Sequence, residues 1–492
     1  MKIYRNIGLN FAGNAWNGLL IVCTTPWYLS MLGMEGFGLV GFWQVLLYVF
    51  LVFDWGLGAT LVREFARLQG ERQNREAYRA LLRRLELICL PGTMLIGVGL
   101  LASASWLATE WLRLSALSTA QASAAIGWMA LSTSTQLMNA LYLNGLAGMQ
   151  RHGAMNLIQI LGYSLKYVGG GLVLHFTRDL SAFFAFQGVC MLALTAISRV
   201  VLSRVIQTVP EADASSPLRT MAHFWKYAAG MFATAVLGML LTNTDRLMLS
   251  RMVSTEDLGR YSLAITGASF LQMLVFAFYR AYYPLFSELK AAGEVMRLKE
   301  TYLKACRTVG ALVVPCAVLA WVFAHELIMI WLGHNDPATA KLFRWLIVGV
   351  TLAGLMWLPA AYQQANGWTS LHVWLMALAL AVGMPIAALF VQHLGVQGGV
   401  AIMLVHGIVE ITLGLLLMNR VYFPGESLRW YRSVLLTPLL VAGPLAWGVH
   451  QLMPDIATRL EATFWVALAS VFVMSGMALL YRDVLTRRRT TH

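Results

Sequence analysis

Long apolar stretches fill the chain almost from end to end, separated by short polar segments. A helix needs about 20 predominantly apolar residues to cross the hydrocarbon of a bilayer. Stretches of that kind sit near 8–31, 38–62, 85–109, 119–145, 155–177, 181–203, 223–250, 258–286, 308–331, 341–363, 370–391, 397–419, 433–452 and 462–481. The pattern predicts an all-α polytopic membrane protein with about 14 transmembrane helices. Lys2 and Arg5 ahead of the first apolar run imitate a secretory leader, but the run to Leu32 is long and more spans follow. It reads as a signal anchor.

The 36 basic residues set the orientation. With both termini inside, cytoplasmic stretches and their edges carry 26 of them, seven of these between Arg63 and Arg84. External loops carry seven: Arg113, Arg178, Arg251, Arg260, Lys341, Arg344 and Arg459. With residues at the span edges counted with the adjoining loops, the remaining three, Lys166, Arg246 and Arg280, fall within spans. Basic residues concentrate on the cytoplasmic side of membrane proteins, so both ends are expected in the cytoplasm.

Composition narrows the function. Hydrophobic residues make up 59% of the 492, charged residues 12%, and mean hydropathy is +0.65. The net charge of +13 fits a basic cytoplasmic face and gives no reason to expect nucleic acid. Five cysteines, an odd number without a CxxC pair, support neither a disulfide framework nor a thiolate metal site. No GxxxxGK[ST], HExxH or nucleophile elbow occurs, and the external loops are too short for a catalytic domain. A transporter without a cofactor is expected, and not an enzyme.

The connector at 206–222, with Thr208, Pro210, Glu211, Asp213, Ser215, Ser216 and Pro217, reads as a cytoplasmic linker. It separates a six-helix lobe at 1–205 from a second at 223–422, and residues 423–492 add two helices and a basic tail. A faint repeat supports two halves. Glu35-Gly36-Phe37-Gly38 and Glu256-Asp257-Leu258-Gly259 occupy the first external turn of each, 221 residues apart. Six helices per half give the halves the same orientation.

Several segments form a recognisable set: Asn10 through Trp16 to Pro26-Trp27-Tyr28, Leu32-Gly33 with the Glu35–Gly38 turn, and Asp54-Trp55-Gly56-Leu57-Gly58 running into Leu61-Val62-Arg63-Glu64. Further along come Asn243-Thr244-Asp245-Arg246, Gly259-Arg260-Tyr261-Ser262 and Tyr283-Pro284. With these segments the chain resembles polysaccharide flippases of the Wzx type, and the resemblance covers most of it. It implies the multidrug/oligosaccharidyl-lipid/polysaccharide exporter fold, with two lobes around a central cavity, in a bacterial inner membrane. It implies a substrate as well, an undecaprenyl-pyrophosphate-linked oligosaccharide passed to the outer leaflet. A polysaccharide polymerase and a chain-length regulator are the implied partners, beside membrane lipids. A cation-coupled drug exporter of the same fold and a membrane polymerase stand as alternatives.

Such a substrate calls for cations toward phosphate and neutral hydrogen-bonding groups toward sugar. Lys166 lies near the middle of span five, either facing a cavity or paired, for example with Asp54 or Glu410. Arg280 sits in span eight and Arg246 beside Asp245 in span seven; each has a structural alternative in snorkelling or a salt link. Asn6, Asn10, Asn14 and Asn17 make a polar stripe on span one, and Thr135, Gln136 and Asn139 a smaller group in span four. These amides suit sugar hydroxyls or helix–helix hydrogen bonds. Asp54 suggests a gate. His406 and Glu410, at i and i+4, suggest proton or sodium coupling, with an interhelical hydrogen bond as the alternative. Gly169-Gly170-Gly171 and Pro26, Pro284, Pro359 and Pro385 suggest bending points. Arg72, Arg75, Arg79 and Arg83 suggest one basic face of a cytoplasmic helix that touches anionic lipid.

Overall fold

A computed structural model describes residues 2–51, 57–70, 75–210, 232, 236, 238–240, 243–368, 370–454, 456 and 458–481, with side chains of the first helix from Trp16 onward. Its regular elements are all helical. Ten helices among the described residues are long and apolar enough to cross a membrane. Two of these stretches, Trp16–Phe50 and Ser370–Tyr422, have 35 and 53 residues. The second is long enough for two crossings, and the first belongs to a helical element of 50 residues, Lys2–Leu51, that is as well. The chain divides into two compact units, 1–259 and 260–492.

The first unit opens with α1 (Lys2–Leu51), which turns back at Gly33, where φ is 68°. This is a left-handed conformation that glycine adopts without the Cβ clash other residues meet. The predicted spans one and two are thereby the two arms of one helical element. It continues with α2 (Leu57–Gly70), α3 (Arg75–Trp111), α4 (Thr119–Gly148), α5 (His152–Thr177) and α6 (Leu180–Gln207). A capping box of Ser118 and Gln121 starts α4, and the Asp179 carboxylate accepts from the Ser181 and Ala182 amides to start α6. Uncharged α4 falls outside the ten because a polar run from Ser132 to Gln136, with Asn139, lowers its hydropathy. It is the centre of the unit, buried at Ala122, Ala125, Ile126, Met129, Leu141 and Leu146. Gly145 and Gly148 let Leu202 and the Val62–Phe65 backbone approach closely.

The two repeated turns meet. The buried Glu35 carboxylate accepts from the backbone amides of Ser115 and Ala116, each at 2.6 Å, and of Leu117 at 3.0 Å. Gly38 lies against the Thr255 carbonyl and Gly259 against the Met34 carbonyl, both too close to admit a Cβ. The small residue of each motif is therefore required by contact with the other.

The second unit contains most of α7 (Thr255–Ala291), then α8 (Val295–Val322), α9 (Ala324–Leu332), α10 (Pro337–Ala365) and α11 (Ser370–Leu394). A 3-10 turn, Gly395–Gly399, leads to α12, built from Val400–Val409, a π turn Glu410–Gly414 and Leu415–Tyr422. The last helices are α13 (Ser427–Gln451) and α14 (Arg459–Leu480). Phe286, Tyr302, Tyr362, Phe423 and Trp430 form an aromatic centre, and Ala442, Ala446, Ala469 and Val473 of α13 and α14 are buried in the same cluster. Gly310 brings α8 against the Val434 backbone of α13.

Two local expectations change. Arg75, Arg79 and Arg83 belong to the first turns of α3 itself, so their basic face continues into a membrane-crossing helix; Arg72 lies outside the described residues. The triple glycine is a packing device. A Cβ on Gly170 would lie 2.7 Å from Gln187 Nε2 and 2.8 Å from the Tyr28 hydroxyl, and one on Gly171 would overlap the Trp27 ring. Close approach of α1, α5 and α6 explains these residues where bending was expected. The connector 211–222 lies outside the described residues, as do 223–231.

Candidate functional site

In the first unit the chemistry converges on a π turn, Leu165–Gly169, in the middle of α5. A π turn adds a residue to the helix and shifts its carbonyls out of the regular ladder. In hydrocarbon such carbonyls need other donors. Gln187 Nε2 donates to the Lys166 carbonyl at 2.9 Å, and the Tyr28 hydroxyl donates to the Tyr167 carbonyl at 2.6 Å and to that of Lys166 at 3.3 Å. Tyr28 and Gln187, both buried, thus hold α1 and α6 against the turn.

The half-buried Lys166 side chain places Nζ 5.1 Å from the centre of the Trp43 ring. Trp43 is fixed by donating Nε1–H to Ser132 Oγ at 2.9 Å and by an edge contact to Phe184. Among the described residues of its unit no carboxylate pairs with Lys166; Asp54, one expected alternative partner, lies outside the described residues, and Glu410, the other, belongs to the second unit. A cation–π contact contributes about 0.5–2 kcal/mol. A charged side chain in mid-membrane costs about 2.5–3.5 kcal/mol on insertion scales. The ring therefore offsets part of the cost and leaves the ammonium able to take an anion.

The other predicted residues of this unit have their own surroundings. Asn17 is half-buried and its Oδ1 accepts no hydrogen bond, while Trp16 on the same helix donates to Ser164 Oγ at 2.9 Å. The backbones of Asn10 and Asn14 are in α1; their side chains, like all of Asp54, lie outside the described residues. Gln136 is half-buried. Asn139 is buried and its Oδ1 accepts from Ser198 Oγ at 2.8 Å, which joins α4 to α6. Arg246 donates from Nη1 to Gln44 Oε1 at 3.3 Å, and the adjacent Asp245 is buried.

In the second unit Glu410 opens a π turn of a membrane helix, Glu410–Gly414, and its carboxylate is 4% exposed. His406 Nε2 lies 3.9 Å from Glu410 Oε1, so the i,i+4 pair read from sequence does share a face. His372 of α11 comes closer, with Nδ1 at 3.1 Å from the same oxygen. Here too a tyrosine from another helix serves the turn, as the Tyr431 hydroxyl donates to the Ile411 carbonyl. Arg280 is exposed, its guanidinium 4.6 Å from the Phe276 ring centre. Phe276 and Tyr279 stand edge-on to Trp357, and Tyr279 donates to Gln364 Oε1 at 2.8 Å.

Sequence reading missed Tyr28, Trp43, Gln187 and His372. Each lies far along the chain from the group it serves, and each residue type is ordinary in a membrane helix. His372, a lone imidazole in an apolar span, carried the one usable signal, since ionisable residues inside membranes are costly.

A family model described as polysaccharide biosynthesis protein matches residues 3–290, and a second, MatE, matches residues 231–389. A Shigella flexneri protein named "Putative O-antigen transporter" is 20% identical over 414 residues, which cover 81% of this chain and 93% of that protein. Among solved structures, the lipid II flippase MurJ in an inward closed conformation aligns with a TM-score of 0.68 at 11% identity, over 96% of this chain and 99% of that one. An inward-facing multidrug resistance transporter of the MATE family aligns with a TM-score of 0.61 at 17% identity, over 83% of this chain and 96% of that one. At such identities the structures speak for the fold. The first family model spans more than half of the sequence, and the chain belongs to the polysaccharide biosynthesis protein family, membrane flippases of the multidrug/oligosaccharidyl-lipid/polysaccharide exporter superfamily.

Proposed function

We propose that this transporter moves undecaprenyl-pyrophosphate-linked oligosaccharide repeat units from the cytoplasmic to the periplasmic leaflet of a bacterial inner membrane, for O-antigen or exopolysaccharide assembly. The observation that carries the reading is Lys166, a mid-span cation held over Trp43 with no carboxylate partner among the described residues. It suits a pyrophosphate. Asn10, Asn14, Asn17 and Gln136 would meet the sugars, with Arg246 and Arg280 as further cations; Asn139, bonded to Ser198, would contribute to helix packing or to the sugar site. Two six-helix lobes with both termini cytoplasmic would alternate access. Asp54 and Asp245 would gate, and Glu410 with His406 would couple export to a proton or sodium gradient. Polymerase and chain-length regulator would act on the product.

The test is the content of lipid-linked oligosaccharide and of surface polysaccharide in cells lacking the protein. Accumulated carrier-linked glycan and lost polymer, restored by the wild type, are expected. Normal surface polymer would remove the reading and favour a cation-coupled drug exporter, which the MatE match over 231–389 supports as a second reading. A polymerase is disfavoured by the short external loops.

A further inference from the structure

A cleft of about 780 Å³ opens between the first turns of α3 and the last turns of α6. Arg79, Arg83, Arg84 and Arg199 line it, with two acids among the described residues, Glu76 and Glu86. Both acids are already engaged. Glu76 pairs with Arg79 at 2.9 Å, and Glu86 with Arg199 at 2.9 Å while also accepting from the Tyr142 hydroxyl at 2.9 Å. Arg83 and Arg84 are exposed, and among the described residues neither has an acidic partner. The cleft therefore presents two uncompensated guanidinium groups. Each can hold phosphate oxygens with two parallel N–H donors.

The surface beside the cleft identifies the source of the phosphate. Leu87 lines the cleft, and Leu90, Met94, Val98 and Leu101 continue from it at spacings of three or four residues, every one of them exposed. This is a single apolar stripe along α3. Ile197 and Val200 of α6 are exposed as well. A polar glycan on this face would lie against hydrocarbon, whereas an acyl chain belongs there.

We propose that this cleft is a binding site for the phosphate headgroup of an anionic membrane phospholipid, its acyl chains lying along the α3 stripe. The site rests on the proposed orientation, which puts this end of the unit at the cytoplasmic leaflet, and not on the identity of the transported substrate. Basic pockets at that interface hold anionic lipid heads by this chemistry.

The test titrates delipidated wild-type protein in detergent with phosphatidylglycerol or phosphatidylcholine and counts bound lipid by native mass spectrometry. Expected is at least a tenfold preference for phosphatidylglycerol, lost in the double variant Arg83→Gln/Arg84→Gln. It should be kept in Arg83→Lys/Arg84→Lys and in Arg297→Gln, a paired arginine of the second unit. Equal binding of the two lipids by the wild type overturns the site, as does an undiminished preference in the Gln variant. A third arm uses undecaprenyl pyrophosphate. If the Gln variant loses this lipid but keeps phosphatidylglycerol, the cleft belongs to the carrier and the proposal fails. The transport reading is untouched by any of these results, since no transport is measured.

Discussion

Two of the π turns in the membrane helices, Leu165–Gly169 in the first unit and Glu410–Gly414 in the second, hold the candidate residues Lys166 and Glu410, and they resolve the same structural problem with opposite electrostatics. At both, a tyrosine from another helix donates to a carbonyl of the turn, Tyr28 of α1 to Tyr167 and Tyr431 of α13, the next helix, to Ile411. At Lys166 the charge is positive, lies over an aromatic ring and has no carboxylate partner among the described residues. At Glu410 the charge is negative and two imidazoles crowd it. The first arrangement gives the cation an aromatic face and, among the described residues, no counter-charge. The second brings a carboxyl and two imidazoles together. Under the proposed function this is a division of labour, with anion recognition in the first unit and ion coupling in the second.

Replacing the two charged residues should separate these roles most strongly. Lys166→Met keeps length and removes charge, and loss of a charged hydrogen bond to phosphate costs about 1.5–3 kcal/mol. Export of lipid-linked oligosaccharide by reconstituted protein should fall by about tenfold to a hundredfold through weaker substrate binding. If Lys166→Met binds and exports as the wild type does, the cation has no substrate role. Glu410→Gln should instead leave substrate binding within about twofold and abolish the response of export to an imposed ion gradient. A variant that still responds places coupling elsewhere. His372→Gln tests the group the sequence did not point to, with an expected partial loss of the same response.

The packing of the turns predicts smaller effects, on stability. Gly170→Ala would press a methyl against both donors of the Lys166 turn, and overpacking of this kind costs about 1–3 kcal/mol. Gly414→Ala in the other turn would meet Leu375 Cδ1 at 2.9 Å, the movable end of a side chain, and should cost less. Thermal unfolding in detergent should rank them in that order. A reversed order would mean the first turn is the softer one. Tyr28→Phe and Tyr431→Phe each take a donor from a carbonyl in hydrocarbon and should each lower stability by about 1–3 kcal/mol. Hydrogen exchange at the two turns would locate the loss.

The sequence by itself determined the membrane setting, the helical class and most of the span positions. Those depend on local quantities: about 20 apolar residues per crossing and the distribution of basic residues among loops. It also indicated Lys166, Glu410 and His406, because a charge within an apolar run stands out regardless of its surroundings. What it could not determine is what each charge touches. Whether Lys166 is paired or open depends on Trp43 of α1, and the hydroxyl at its turn comes from 138 residues away. The π turns themselves have no periodic signature, since Leu165–Gly169 and Glu410–Gly414 read as ordinary apolar helix. They exist because Tyr28, Gln187 and Tyr431 arrive from other helices to satisfy the displaced carbonyls, and only the tertiary structure brings those donors there. The glycines show the same limit. Gly170 and Gly171 appeared as bending points, yet they are fixed by Tyr28, Gln187 and Trp27 packed against them. A glycine's lack of a side chain is visible in the sequence, but what occupies the vacated space is decided by the fold.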